Sequence, residues 1–171
     1  MTQYNIIAES QEYTVVAEYD HVATPVEAYQ SEADLEKEFI RLLGEQGYEY
    51  LPIHKEADLI FNLRDQLEKL NHYHFTDNEW EHFFNECIAN KNDDIVAKTA
   101  KIQDDYIQVL KRDTGESQNI KLIDKDNIHN NTLQVINQYV EEGGNYDTRY
   151  DVTVLVNGLP LVHIELKRRG V

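Results

Sequence analysis

The sequence predicts an α/β or α+β domain whose central sheet is built largely from the C-terminal half, on three observations. Apolar residues recur at helical spacing from Leu35 to about Ile102. Alternating, β-like patterns replace them from about Tyr106 onward. The stretch RYDVTVLVNGLPLVHIELKRRG, residues 149–170, then reads as two nearly continuous apolar strands joined at Asn157-Gly158.

Taken in order, residues 1–30 mix short alternation (Tyr13, Val15, Ala17) with polar stretches and Pro25, which predicts an extended arm or edge strand. Ser31 and Asp34 have capping-box spacing, and Leu35, Phe39, Leu42 and Leu43 follow on one helical face that Gly44 or Gly47 should stop. Ile60, Leu63, Leu67 and Leu70 mark a second helix. Thr76 and Glu79 cap a third carrying Trp80, Phe83, Phe84, Cys87 and Ile88, aromatics expected in the core rather than on a base-stacking surface. A short helix is expected over Asp93–Ile102, then a hairpin of Tyr106–Leu110 and Ile120–Ile123 turning at Asp113–Ser117. Leu133–Val140 fits a strand or a helix by period, and a strand is preferred. Gly143-Gly144-Asn145 breaks the chain before the final pair.

The 171 residues, 41% of them hydrophobic, suit one domain with a real core. The single Cys87 excludes an internal disulfide, no apolar run is long enough to cross a membrane, and the first 30 residues lack a signal-peptide plan, so a soluble intracellular protein is expected. Thirty-two acidic against sixteen basic side chains give a formal charge of -16, which repels phosphate polymers and disfavours unaided, non-specific DNA binding. His72, His74 and His82 with Cys87 match no compact zinc-ligand spacing.

Three charged groups, Asp151, Glu165 and Lys167, interrupt the apolar final stretch. Across Asn157-Gly158, a two-residue loop pairs Asp151 with Ile164, a three-residue loop with Glu165 and a four-residue loop with Leu166, so Asp151 and Glu165 are neighbours in every case. Facing residues lie roughly 4.5–5.5 Å apart at Cβ, close enough to share a cation. Glu165 and Lys167 project to one face. Apolar neighbours on both faces predict a strand covered on both sides, where two carboxylates need a metal or strong partners. Such a pair offers hard oxygens to Mg²⁺, and a nearby ammonium can hold or help deprotonate a water attacking phosphorus. An E-x-K triplet alone arises by chance about once in a chain of this size at usage near ~6% per residue, and an exposed ion pair explains it equally well. The rival class is an acidic interaction protein, such as a DNA mimic whose carboxylates imitate phosphates.

Asp151 followed by fourteen residues and then Glu165-Leu166-Lys167 resembles the PD-(D/E)xK nuclease motif, without its proline, since Tyr150 precedes Asp151. The whole stretch, together with YQSEADLEKEFIRLLGEQGYEYL at 29–51 and LIDKDN at 122–127, resembles the N-terminal nuclease domain of the restriction (R, or HsdR) subunit of type I restriction-modification enzymes. That resemblance implies an α/β fold with a restriction-endonuclease-like mixed central sheet flanked by helices, residues 1–30 forming an arm and 31–171 the nuclease domain. It implies that Asp151 and Glu165 bind Mg²⁺, or Mn²⁺ as a substitute, that Lys167 is the catalytic lysine, and that a helix glutamate assists. Glu36, preceding Ile40 and Leu43 at i, i+4 and i+7, is the candidate. Glu32 and a plain surface role remain its alternatives.

Arg168 and Arg169, beside Lys167, are expected to contact DNA phosphate or simply to solvate the surface. The family's domain continues with a helix bearing a glutamine and a tyrosine and with another strand, so a domain truncated on its C-terminal side is expected. Its polypeptide goes on into ATP-driven motor domains and joins methyltransferase and specificity subunits on double-stranded DNA in the cytoplasm. No G-x-x-x-x-G-K-[ST] loop occurs here, so ATP use is expected only through those further domains.

Overall fold

Ser31 takes extended backbone and accepts the Asp34 amide on its side chain, while Asp34 reaches back to the Ser31 amide, so α1 (Glu32–Glu45) starts at a capping box. It stops where Gly47 turns to φ +91°, a conformation that costs glycine nothing. The computed structural model describes residues 5–9, 14–17, 31–141 and 148–167. The chain falls into two compact units, Met1–Gln30 and Ser31–Val171. In the first, β1 (Asn5–Glu9) and β2 (Thr14–Ala17) pair antiparallel with each other, where the sequence reads an arm or edge strand.

In the second unit a mixed sheet has the order β3-β6-β7-β8. The two-residue β3 (Glu49–Tyr50) runs parallel to β6 (Leu133–Glu141), and β7 (Thr148–Val156) and β8 (Leu159–Ile164) complete the sheet antiparallel. Helix α1 covers one face, packing Phe39, Ile40 and Leu43 on Val135 and Val152. Leu42, assigned to that face by spacing, is exposed instead, because a flat sheet engages only a narrow stripe of a helix. Helix α2 (Glu56–Asn71) covers the other face, where Leu59 meets Ile136 and Leu155 and the Asn62 and buried Gln134 amides bond reciprocally at 2.9 and 3.3 Å.

Beyond α2, α3 (Asp77–Phe83) starts at the Thr76–Glu79 capping box and runs on into a π-turn over Phe84–Ile88. α4 (Ile95–Gln103) follows, capped by Asp94. β4 (Ile107–Lys111) and β5 (Ser117–Lys121) form the expected hairpin. Leu63, Leu67, Phe75, Trp80, Phe83, Leu110 and Ile120 bury one another in a second core, and Leu159 from the β7–β8 turn enters it. Trp80 and Phe83 are therefore core residues, as their spacing predicts.

The LIDKDN segment closes on the buried Asp124, whose carboxylate accepts the amides of Asp126 and Asn127 at 3.0 Å and the Asn130 side chain at 2.9 Å. The Asn127 amide and Asn130 side-chain bonds hold its carboxyl down to about 2. Because the folded value lies below the unfolded one, near ~3.9, the stabilisation is complete above that value and is lost as pH falls toward 2. Asp124→Asn should lower the urea midpoint at pH 7 and flatten its fall below about pH 4. Its new amide would face the Asn130 donor. Parallel acid profiles for the two proteins would contradict this.

Candidate active site

The β7–β8 turn uses Asn157 and Gly158 at φ +51° and +80°, the left-handed pair that a two-residue hairpin loop requires. The Asn157 side chain is buried: it accepts the Thr132 amide at 2.8 Å and donates to Leu122 O at 3.1 Å and to Asn131 Oδ1 at 2.8 Å. Val156 pairs with Leu159 and Leu155 with Pro160, but Val154 pairs with Val162, so Leu161 is an extra residue in β8. The bulge advances the register by one, and Val152 faces Ile164. Continued one step past the end of β8, that register would bring Asp151 opposite Glu165. A two-residue turn plus a bulge thus yields the register that sequence arithmetic assigned to a three-residue loop.

Asp151 Oδ2 accepts the Leu166 amide at 2.8 Å, which ties the end of the hairpin together just past β8. Lys167 Nζ lies 3.0 Å from Glu165 Oε1, with the two side chains 75% and 70% exposed. Hydrogen bonding to Glu165, reinforced by the charges of Glu165, Glu32 and Asp151, holds the Lys167 ammonium above its ordinary value. The expectation of charges embedded in a doubly covered strand holds for β7, where Val152, Thr153 and Leu155 are buried. It fails for β8, the outer strand of the described sheet, whose Leu161 and Val162 are exposed and which ends before Glu165. Glu165 and Lys167 therefore meet solvent as an ion pair.

Opposite Asp151 the ladder is interrupted. Its register passes from Asn137–Val152 to Tyr139–Tyr150 without pairing Gln138, which stands at φ +52°. Strict alternation would place Tyr139 on the face opposite Ile136, yet Tyr139 and Tyr150 pack with Ile136 and Leu155. Glu36 reaches this point from α1: its Oε1 accepts Asn137 Nδ2 at 2.6 Å and its Oε2 accepts Gln138 Nε2. Glu32, the other glutamate weighed, is near enough to contribute to the Lys167 shift. On the flank, Tyr150 stacks on His163 at 3.9 Å between ring centroids, and His163 Nδ1 lies 3.0 Å from Thr153 Oγ1. Arg168 and Arg169 lie outside the described residues.

Sequence reasoning passed over Asn137, Gln138 and the bulge at Leu161. Two signals were present: an adjacent pair of amides inside the apolar run Leu133–Val140, and Pro160, which brings no ladder donor and favours edges and bulges.

Among the described residues no three His, Cys, Asp or Glu side chains gather closely enough to hold a metal ion. The described residues thus form no tight protein cage of the zinc or calcium kind. Mg²⁺ differs, since it keeps several waters and is bound through one or two carboxylates, so Asp151 and Glu165 with their hard oxygens suit it. The Leu166 bond leaves Asp151 Oδ1 and the remaining lone pairs for such a role.

A mixed sheet between helices, with a carboxylate hairpin at its end, defines an α/β domain of restriction-endonuclease-like architecture. The family described as Type I restriction enzyme R protein N terminus (HSDR_N) matches residues 29–171, and the chain belongs to it. The endonuclease subunit of the type I restriction enzyme EcoprrI of Escherichia coli is 46% identical over 166 residues, 96% of this chain and 53% of that protein. Type I restriction enzyme endonuclease subunits of Staphylococcus saprophyticus and Staphylococcus aureus are 39% and 38% identical over 84% of this chain and 15% of their own length. The chain thus spans about half of the first relative and a small part of the others. Among the described residues no helix is long and apolar enough to cross a membrane.

Proposed function

We propose that this chain is the N-terminal nuclease part of a type I restriction R subunit, and that the parent enzyme hydrolyses DNA phosphodiester bonds with Mg²⁺ held by Asp151 and Glu165. The observation that supports the reading most is the bulged register, which pairs Val152 with Ile164 and lets Asp151 accept the amide of Leu166, the residue between Glu165 and Lys167. When bound, the cation would polarise a phosphoryl oxygen and offset the charge that develops at phosphorus. Lys167, an ammonium at neutral pH, would orient the attacking water and stabilise the phosphoryl oxygens, with the water's proton leaving to solvent. Water adds to phosphorus, the P–O bond to the leaving strand end breaks, and the departing oxygen takes a proton from solvent.

The acidic surface makes delivery of double-stranded DNA a task for other parts of the assembly. Those parts are the methyltransferase and specificity subunits and, further along the same polypeptide, an ATP-driven translocase acting in the cytoplasm. Arg168 and Arg169 would add local phosphate contacts.

Calorimetric titration of Mn²⁺ into this chain and into Glu165→Ala tests the metal assignment without requiring cleavage. One weak site that disappears in the variant is expected. Equal binding by both proteins would mean scattered surface carboxylates and would remove Glu165 from the metal site.

A further inference from the structure

We propose that Gln138 is a positioning residue of this site, acting through Glu36. The inference rests on the nuclease reading and deepens it. Adjacent residues of a regular strand point to opposite faces, yet the side chains of Asn137 and Gln138 both reach the carboxylate of Glu36. The left-handed backbone at Gln138 makes this possible. L side chains with a long stem rarely adopt that conformation, and it persists only where the surroundings enforce it. Its location is equally specific, being the one step of the β6–β7 ladder that faces Asp151.

The two features have a joint result. Each oxygen of Glu36 accepts one amide N–H, which fixes the plane of the carboxylate and leaves a lone pair on each oxygen. Glu36 is thereby tied to Asn137 and Gln138, and Gln138 occupies the unpaired step of the ladder between Asn137–Val152 and Tyr139–Tyr150, across from Asp151. Neutral amide donors orient a carboxylate without neutralising its charge, as a salt bridge would. Groups that orient a metal-site carboxylate typically change metal affinity or activity by roughly 10–100-fold when removed.

The test uses the full-length R subunit in its assembled enzyme. Gln138→Gly keeps the positive φ at no steric cost and removes the amide. The thermal midpoint should hold or rise, while the Mg²⁺ concentration giving half-maximal DNA cleavage rises by roughly 10-fold. Glu36→Gln should produce the same shift, and the double variant no more than the larger single effect, because both act through one contact. A purely structural role predicts a lower midpoint with wild-type Mg²⁺ dependence of the folded enzyme, and that result would overturn the proposal. Asp151→Ala is the control. If it cleaves normally, the nuclease reading fails and this inference with it. If it is inactive while Gln138→Gly and Glu36→Gln keep wild-type Mg²⁺ dependence, only the positioning role is lost.

Discussion

Gly158→Ala is expected to destabilise the domain by about 3 kcal/mol or more, a large share of the roughly 5–15 kcal/mol that holds a domain of this kind together. Two costs combine. Gly158 sits at φ +80°, where an L side chain is strained, and a Cβ there would stand 2.6 Å from Leu63 Cα and 3.0 Å from Leu63 N. The obstacle is α2 backbone, with no flexible side chain to swing aside. Either the helix or the hairpin tip must retreat, and with it the buried bonds of Asn157 to Thr132, Leu122 and Asn131. Gly115→Ala separates the terms: it has φ +87° with nothing within 4 Å of the added carbon, so it carries the conformational cost alone, about 1 kcal/mol. Urea unfolding of both variants, compared at equal m-value, reads the difference. If the two midpoints coincide, the close approach of α2 to the turn is not a constraint.

That turn also shows what the sequence could and could not reveal. Asn157-Gly158 is legible because two consecutive left-handed residues admit few side-chain types. The capping boxes at Ser31 and Thr76 are legible because each is a local exchange of hydrogen bonds that needs nothing beyond its own four residues. The bulge at Leu161 is not, because an extra residue in one strand depends on how the facing strand twists, and both neighbouring registers preserve the apolar pattern. Gln138 is hidden for a related reason: glutamine carries no preference for φ > 0, and only the carboxylate of a distant helix explains its conformation. Exposure of Glu165 and Lys167 follows from where β8 ends and from its outer place among the described strands, which are properties of topology rather than of the strand's own composition. Hairpin arithmetic made the closeness of Asp151 to the Glu165-Leu166-Lys167 segment readable, as the Leu166 amide on Asp151 shows, whereas the surroundings of that segment were not.

In a full-length R subunit, Asp151→Asn is expected to reduce DNA cleavage by roughly 100-fold or more while sparing ATP hydrolysis. Asparagine is chosen because its carbonyl can still accept the Leu166 amide, the bond that closes the hairpin end at 2.8 Å, so the fold is retained and the charge alone is removed. Glu165→Ala and Lys167→Ala should match it in cleavage. In this chain both side chains are largely exposed and form an ion pair with each other, so neither change should move its own unfolding midpoint appreciably. The contrast with Gly158→Ala is the useful one: that variant should lose cleavage together with stability, whereas these three should lose cleavage at wild-type stability. Retained ATP hydrolysis in the same preparations, the activity proposed for domains further along the polypeptide, would show that the loss is confined to cleavage. Cleavage at the wild-type rate by any of the three would remove that residue from the catalytic machinery. If Asp151→Asn were the one to cleave, the register that places Asp151 against Glu165 would have no catalytic meaning.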